Sequence, residues 1–271
     1  MQQEIEQKLN SLSGHDYIKL TSRGNTAIFA ALYCARKLQL DKKIVLIPDQ
    51  GGWFTYKKYA KMLELIPVQL ETDFGVIDLK DLEEKAPKAN CIIYSDPAGY
   101  FAEQPIEEVY KICSKHKVTV ILDMTGIIGR KIPGKYADYC LASFGENKPV
   151  NLGYGGFLSA QNKEYFEIPK EIFNTDSFDQ SRYRDLLKNL NNLSKRYELF
   201  DKVNKKIKMD LKEFDIIHGN NKGINVVVKY GSIEEKNKII EYCNRNHYEF
   251  TLCPRYIRVE CNAVSIEVKR L

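Results

Sequence analysis

Ser143-Phe144-Gly145-Glu146-Asn147-Lys148-Pro149-Val150-Asn151-Leu152-Gly153-Tyr154-Gly155-Gly156 follows directly on the apolar run Tyr139-Cys140-Leu141-Ala142 and leads into the strand-like Phe157-Leu158-Ser159. One lysine therefore stands in a short polar loop between two strand-like runs, with a glycine cluster behind it. A lysine becomes a nucleophile toward aldehydes only where its surroundings favour the neutral amine, and partial burial beside another cation or a cofactor does that. Taken alone, the stretch leaves two readings open. Lys148 is a reactive amine in a built loop, or it is one solvated lysine of a lysine-rich chain beside a glycine turn.

Upstream, Tyr17-Ile18-Lys19-Leu20-Thr21-Ser22-Arg23-Gly24-Asn25-Thr26-Ala27-Ile28 is a strand-like alternation that passes through a glycine into a helix with apolar positions Ile28, Leu32, Ala35 and Leu38. Such a turn exposes unpaired backbone N–H groups at the positive end of a helix dipole, a natural place for a phosphate, although a plain Asn or Thr N-cap uses the same residue types. Gly24 lets the backbone approach, and Asn25 and Thr26 can add side-chain donors. Further on, the strand Val118-Thr119-Val120-Ile121-Leu122 delivers Asp123 at its C-terminal end, the edge of an open α/β sheet where ligands gather. A carboxylate there either pairs with a cation, for which a protonated pyridine nitrogen would serve, or caps the following turn.

Ser-Phe-x-x-Asn-Lys, a polar spacer and Gly-x-Gly-Gly resemble the lysine motif of the DegT/DnrJ/EryC1/StrS aminotransferases. Thr21 to Ile28 resembles that family's phosphate cup, typically Thr-Ser-x-Gly-Thr, with Asn25 in place of the usual threonine. Leu122-Asp123-Met124-Thr125-Gly126 resembles its Glu/Leu-Asp-Ala-Ala-Gln/Glu, and Gly126 lacks the side chain that commonly touches the cofactor or the catalytic lysine. The three motifs stand in the family's order, and the resemblance covers roughly residues 15 to 160.

That resemblance implies an α/β fold of the fold-type I class of pyridoxal 5'-phosphate (PLP) enzymes, with a large, mostly parallel-sheet α/β/α domain and a small α+β C-terminal domain. It implies that Lys148 forms the internal aldimine, that Asp123 holds the pyridine nitrogen, and that Gly24, Asn25, Thr26 and Ser143 cradle the phosphate. Trp53, the only tryptophan of the chain, lies in the Gly-rich loop Asp49-Gln50-Gly51-Gly52 after a strand-like run; it is a ring-stacking candidate by the same resemblance and a core residue by its own chemistry. The implied reaction moves an amino group from a small-molecule donor to a keto acceptor, with sugar nucleotides common in the family, in a homodimer. A lyase or desulfurase, a tRNA-linked amino-acid conversion, and an inactive binding homologue remain as alternatives, because Gly126 and the short pocket-forming segments leave room for them.

Composition bounds the rest. The chain has 271 residues, 44% hydrophobic and 28% charged, which is ordinary globular material. It contains no run of about 18 apolar residues, and its polar start lacks a signal-peptide layout, so a cytoplasmic protein without a membrane span is expected. The seven cysteines are scattered without a Cys-x-x-Cys pair, which argues against a disulfide framework and against a metal site. A net charge of +5 with interleaved signs argues against nucleic acid as a direct partner.

Residues 1–13 read as a short amphipathic helix, and strands then alternate with helices, as in a sheet covered on both faces. We expect a PLP-binding domain over residues 1–163 and linker helices with a small domain over 164–271. In the second part, Tyr183 to Val203 reads as a long helix or helical pair, followed by a β-α-β-β pattern that includes Tyr256-Ile257-Arg258-Val259-Glu260 as a strand. By the same resemblance Arg258, less so Arg255, is the candidate clamp for a substrate carboxylate; a solvent-facing strand arginine is the other reading.

Overall fold

The computed structural model describes all 271 residues. Helix α1 (Gln2–Ser13) buries Ile5 and Leu9 and stops at Gly14, whose φ of 79° lets its N–H turn back on the Asn10 carbonyl. Strand β1 (Tyr17–Thr21) runs into α2 (Gly24–Leu38), and β2 (Ile44–Pro48) into α3 (Thr55–Met62). Next come β3 (Ile66–Leu70), a two-stranded ribbon of β4 (Thr72–Asp73) and β5 (Val76–Ile77), and α4 (Leu79–Lys85). Asp78 caps α4 by accepting from the N–H groups of Lys80 and Asp81. β6 (Ala89–Ser95), α5 (Ile106–Lys115), β7 (Thr119–Asp123), β8 (Tyr139–Ser143) and β9 (Gly156–Ala160) complete the frame.

These strands form a seven-stranded sheet in the order β1-β9-β8-β7-β6-β2-β3. Only β9 runs antiparallel to its neighbours; every other pair of adjacent strands is parallel. Parallel pairs need crossovers, and the helices that make them cover both faces, so the central strands are apolar without alternation. Ile92, Tyr94, Val120 and Leu122 belong to one core cluster, with Leu82 of α4 and Val109 of α5. Their neighbours Cys91, Ile93 and Ile121 belong to the other, with Ala27 and Ala31 of α2 and Tyr56 of α3. Burying each large side chain of this kind stabilises the fold by about 1.5–3 kcal/mol. The C-terminal ends of β2, β6, β7 and β8 share one edge, and the site is built there.

After β9 come α6 (Lys163–Glu167) and α7 (Lys170–Thr175), with Phe173 in the second cluster. The expected helical stretch is a pair, α8 (Tyr183–Asn191) and α9 (Leu193–Asp210), which pack Leu186, Leu190, Phe200 and Ile207 into the first cluster. β10 (Val226–Lys229), α10 (Ile233–Arg245), β11 (Phe250–Cys253) and β12 (Ala263–Ile266) make a small antiparallel sheet in the order β10-β12-β11. Ser232 caps α10 through the Glu235 N–H, while the Glu235 carboxylate reaches back to the Gly231 N–H.

One expected strand is absent. Tyr256 to Glu260 is the loop between β11 and β12, folded on itself by Arg255 N–H to Val259 O at 2.8 Å and Arg258 N–H to Arg255 O at 2.8 Å. Its apolar alternation reflects a half-buried Ile257 in the cleft wall and a buried Val259 in a small cluster with Ala98 and Phe101 rather than sheet pairing. No helix is long and apolar enough to cross a membrane.

Candidate active site

A cleft of about 580 Å³, partly open to solvent, lies at the shared strand edge. Gly24, Asn25 and Ser143 line it together with Trp53, Asp123, Lys148 and Arg258, residues that are far apart in the sequence. Thr26 is not in this lining. Its hydroxyl donates to Asp176 Oδ1 at 3.3 Å, and the same carboxylate takes the N–H and O–H of Ser22, so the Thr26 side chain is committed elsewhere.

The turn between β1 and α2 brings a helix N-terminus to the cleft. The first N–H groups of a helix have no carbonyl one turn earlier to bond, and here the Thr26 N–H turns back on Arg23 O at 3.1 Å. A Cβ on Gly24 would stand 2.6 Å from the Ser143 Cβ, so glycine is what allows the α2 terminus and the end of β8 to meet. Asn25 does something the sequence did not disclose. Its side-chain oxygen accepts from Trp53 Nε1 at 3.1 Å and from the Thr55 hydroxyl at 3.3 Å, which fixes the indole in the cleft wall.

Lys148 hangs from a loop stapled at several points. Phe144 N–H bonds Gly155 O, Leu152 N–H bonds Phe144 O, and Gly155 N–H bonds Ser22 O of the β1–α2 turn. Asn147 and Asn151 hold positive φ values of 59° and 50°, a conformation that asparagine tolerates better than most side chains. The Asn147 N–H donates to Asn151 Oδ1 at 2.8 Å. The half-buried Lys148 amine lies 5.1 Å from the Trp53 ring centroid and 4.9 Å from that of Tyr100. Burial first, and the Arg258 guanidinium second, bring its pKa down to about 8 against the opposing pull of Asp123 and Glu267.

Asp123 is 8% exposed at the end of β7, and both its oxygens have donors. Oδ2 accepts from the Tyr56 hydroxyl at 2.6 Å, and Oδ1 accepts from the Thr125 N–H at 3.0 Å and from the Thr125 hydroxyl. Burial and then the Asp123 charge hold the Tyr56 phenol well above its ordinary pKa, so it stays a donor. Sequence reasoning missed Tyr56. The available signal was a buried tyrosine in the first turn of a lysine-rich helix whose N-terminus faces the same edge.

Arg258 lies in the cleft wall, but not as the solvent-facing strand arginine or the free fork that the sequence suggested. It sits in a loop, its side chain is 4% exposed, and Glu267 takes its fork, from Nε at 2.8 Å and from Nη2 at 2.7 Å. Glu267, on the segment after β12, also accepts from Lys269 at 3.1 Å, from the Ser265 hydroxyl and from Asn225 Nδ2. Arg255 is exposed and is not part of the lining. Tyr100, a second missed residue, is the hub of this side of the cleft. Besides Lys148, Lys269 lies 5.1 Å and the Arg258 guanidinium carbon 5.3 Å from its ring centroid. The same ring, with Pro97, fills the space in front of Gly126: a Cβ there would stand 2.6 Å from Pro97 Cδ and 3.3 Å from Tyr100 Cδ1.

Comparison with solved structures gives the same fold at low sequence identity. Helicobacter pylori PseC, described as an aminotransferase involved in pseudoaminic acid biosynthesis, superposes with a TM-score of 0.78 at 16% identity over 97% of this chain and 84% of its own. A putative sugar aminotransferase of Streptococcus pneumoniae in its PMP form gives 0.76 at 12% identity over 98% and 84%. Serine palmitoyltransferase from S. paucimobilis, with a bound PLP-myriocin aldimine, gives 0.73 at 13% over 98% and 70%. No curated protein sequence matches the chain. Residues 191–271 match the MJ1341 family C-terminal domain. Residues 1–196 match the sequence model of the DegT/DnrJ/EryC1/StrS aminotransferases, and with that match over more than half its length the chain belongs to the DegT/DnrJ/EryC1/StrS aminotransferase family.

Proposed function

We propose that the protein is a PLP-dependent aminotransferase acting on a small keto substrate of the sugar-nucleotide kind, with Lys148 as the amine that holds the cofactor. The observation that carries this is the Lys148 amine itself, half-buried between two aromatic rings and brought down to about 8, in the same cleft as a buried carboxylate at a strand end.

The donor set fits PLP. The N-terminus of α2, packed on Ser143 with only a glycine between, suits a phosphate dianion. Asp123 keeps one acceptor site on Oδ2 beyond the Tyr56 bond, enough for a pyridinium N–H. Bound there, PLP would supply an electron-poor ring that takes up the electron pair left when the substrate's Cα loses its proton. Lys148, its amine held toward the neutral form by burial and Arg258, would take that proton and return it one position along. Asp123, oriented by Tyr56 and Thr125, would hold the ring nitrogen's proton in place. Trp53, fixed by Asn25, would cover the ring face and keep water off it. The family's homodimer is part of this reading, and sedimentation at micromolar concentration checks it.

Borohydride treatment of protein loaded with PLP, followed by peptide mass mapping, tests the assignment. We expect the reduced pyridoxyl group on Lys148; finding it on another lysine would overturn the reading. Lys148→Ala should keep the fold and abolish turnover.

A further inference from the structure

The ion cluster behind the cleft carries more positive charge than its packing needs. Glu267, with a fully buried side chain, faces Arg258, Lys269 and, at 3.9 Å, Arg270, and of these only Arg270 has a second carboxylate partner, Glu249. Arg258 already balances its charge through a two-bond fork, yet Lys269 is buried beside them at 3% side-chain exposure. Burying a cation costs several kcal/mol unless it is fully compensated, and replacing it with an apolar side chain of similar volume commonly costs nothing. A surplus buried cation is therefore poorly explained by stability. Its position offers another account: Lys269 and Lys148 both approach the Tyr100 ring, at 5.1 and 4.9 Å from one centroid, so their ammonium groups lie no more than about 10 Å apart.

We propose that Lys269 is a positioning residue for Lys148, its charge acting across the Tyr100 ring to hold the cleft lysine toward the neutral, nucleophilic amine. This rests on the reading of Lys148 as the reactive amine, but the coupling itself is a property of the apo-protein. Two unit charges about 10 Å apart at an effective dielectric of 20–40 repel by about 0.8–1.7 kcal/mol, a factor of roughly four to seventeen in the neutral fraction. The other groups that face Lys148 act alongside. Arg258 and Arg270 push Lys148 toward the neutral amine, the direction proposed for Lys269, while Asp123 and Glu267 oppose it. Lys269 is itself brought down to about 8, by burial first, with Arg258 and Lys148 adding to it and Glu267 opposing.

The test is a lysine ε-carbon NMR titration of the apo-protein. In Lys269→Met the Lys148 midpoint should rise, so that its neutral fraction at pH 7 falls about four- to seventeenfold, while Lys269→Arg keeps the wild-type midpoint. A folded Lys269→Met protein with an unmoved Lys148 midpoint would overturn the proposal. Linkage requires the effect to be reciprocal. In Lys148→Met, which leaves the ion cluster intact, the Lys269 midpoint should rise by the same amount, and no movement there would also overturn it, whether or not Lys269→Met folds. The borohydride map can fail while this coupling persists, so the two assignments fall separately.

Discussion

A lysine held near pH 8 in the folded chain weakens the apo-protein, and the sign can be worked out. The unfolded lysine titrates near ~10.4, so between about 8 and 10.4 the unfolded state holds a proton that the native state has lost, and stability rises with pH across that window. Below about 8 the cost is fully present. Lys148→Met should stabilise the apo-protein at pH 7 by about 1–2 kcal/mol, allowing for solvent screening at a half-buried site, and should flatten the rise above pH 8. Urea titrations at pH 7 and pH 10 measure both. Asp123 behaves differently because its partners can adjust. In Asp123→Asn the amide can turn its NH2 toward Tyr56, whose hydroxyl rotates to accept, while the amide oxygen keeps the Thr125 donors. Melting should then drop by only about 1 kcal/mol, whereas single-turnover deprotonation should slow by about 10²–10³. An unchanged rate would remove Asp123 from the site.

The strand-turn-helix at Gly24, the strand end at Asp123 and the loop at Lys148 were legible because each is local: periodicity, a glycine and one functional residue lie within a dozen positions. What could not be read were side chains that reach the cleft from other elements. Tyr56 comes from α3, Tyr100 from the turn after β6, and Glu267 and Lys269 from the last residues of the chain, and none has a spacing relation to its partner. The alternation in Tyr256 to Glu260 misled because a buried loop and a strand edge can share an apolar pattern. Gly126 was read as a missing side chain, whereas packing shows the space already taken by Pro97 and Tyr100. Gly126→Gln alone should therefore cost about 1–3 kcal/mol by overpacking. Combined with Tyr100→Ala it should cost less than the sum of the two single changes, and a double-mutant cycle on melting free energies reads that coupling; strict additivity would place Tyr100 elsewhere.

Small sheet and large sheet are joined by the loops that build the cleft. Gly51 N–H bonds Tyr256 O at 2.7 Å, Glu260 N–H bonds Gln50 Oε1, and the N–H groups of Ile224 and Asn225 both bond Tyr100 O. The first core cluster also runs without interruption from α1 to Val264, Ile266 and Val268. The Arg258–Glu267 pair lies inside this junction, so damage to it should be felt by the whole chain. Glu267→Gln leaves buried cations without their anion and should cost about 3–5 kcal/mol, with one cooperative transition by both near-UV and far-UV dichroism. Replacing both partners, as Arg258→Met with Glu267→Leu, should cost less than the single change, because no orphaned charge remains. The acid limb gives an independent reading. Despite burial, which pushes the other way, Arg258 and then Lys269 hold the Glu267 carboxyl well below the ordinary glutamate range. Its contribution is thus fully present above the unfolded value near ~4.3 and is lost only as pH falls through the lower native value. Wild-type stability should decline between those limits by more than that of Glu267→Gln, which has no carboxyl to protonate. Parallel acid limbs in the two proteins would mean that the pair contributes nothing to holding the two sheets together.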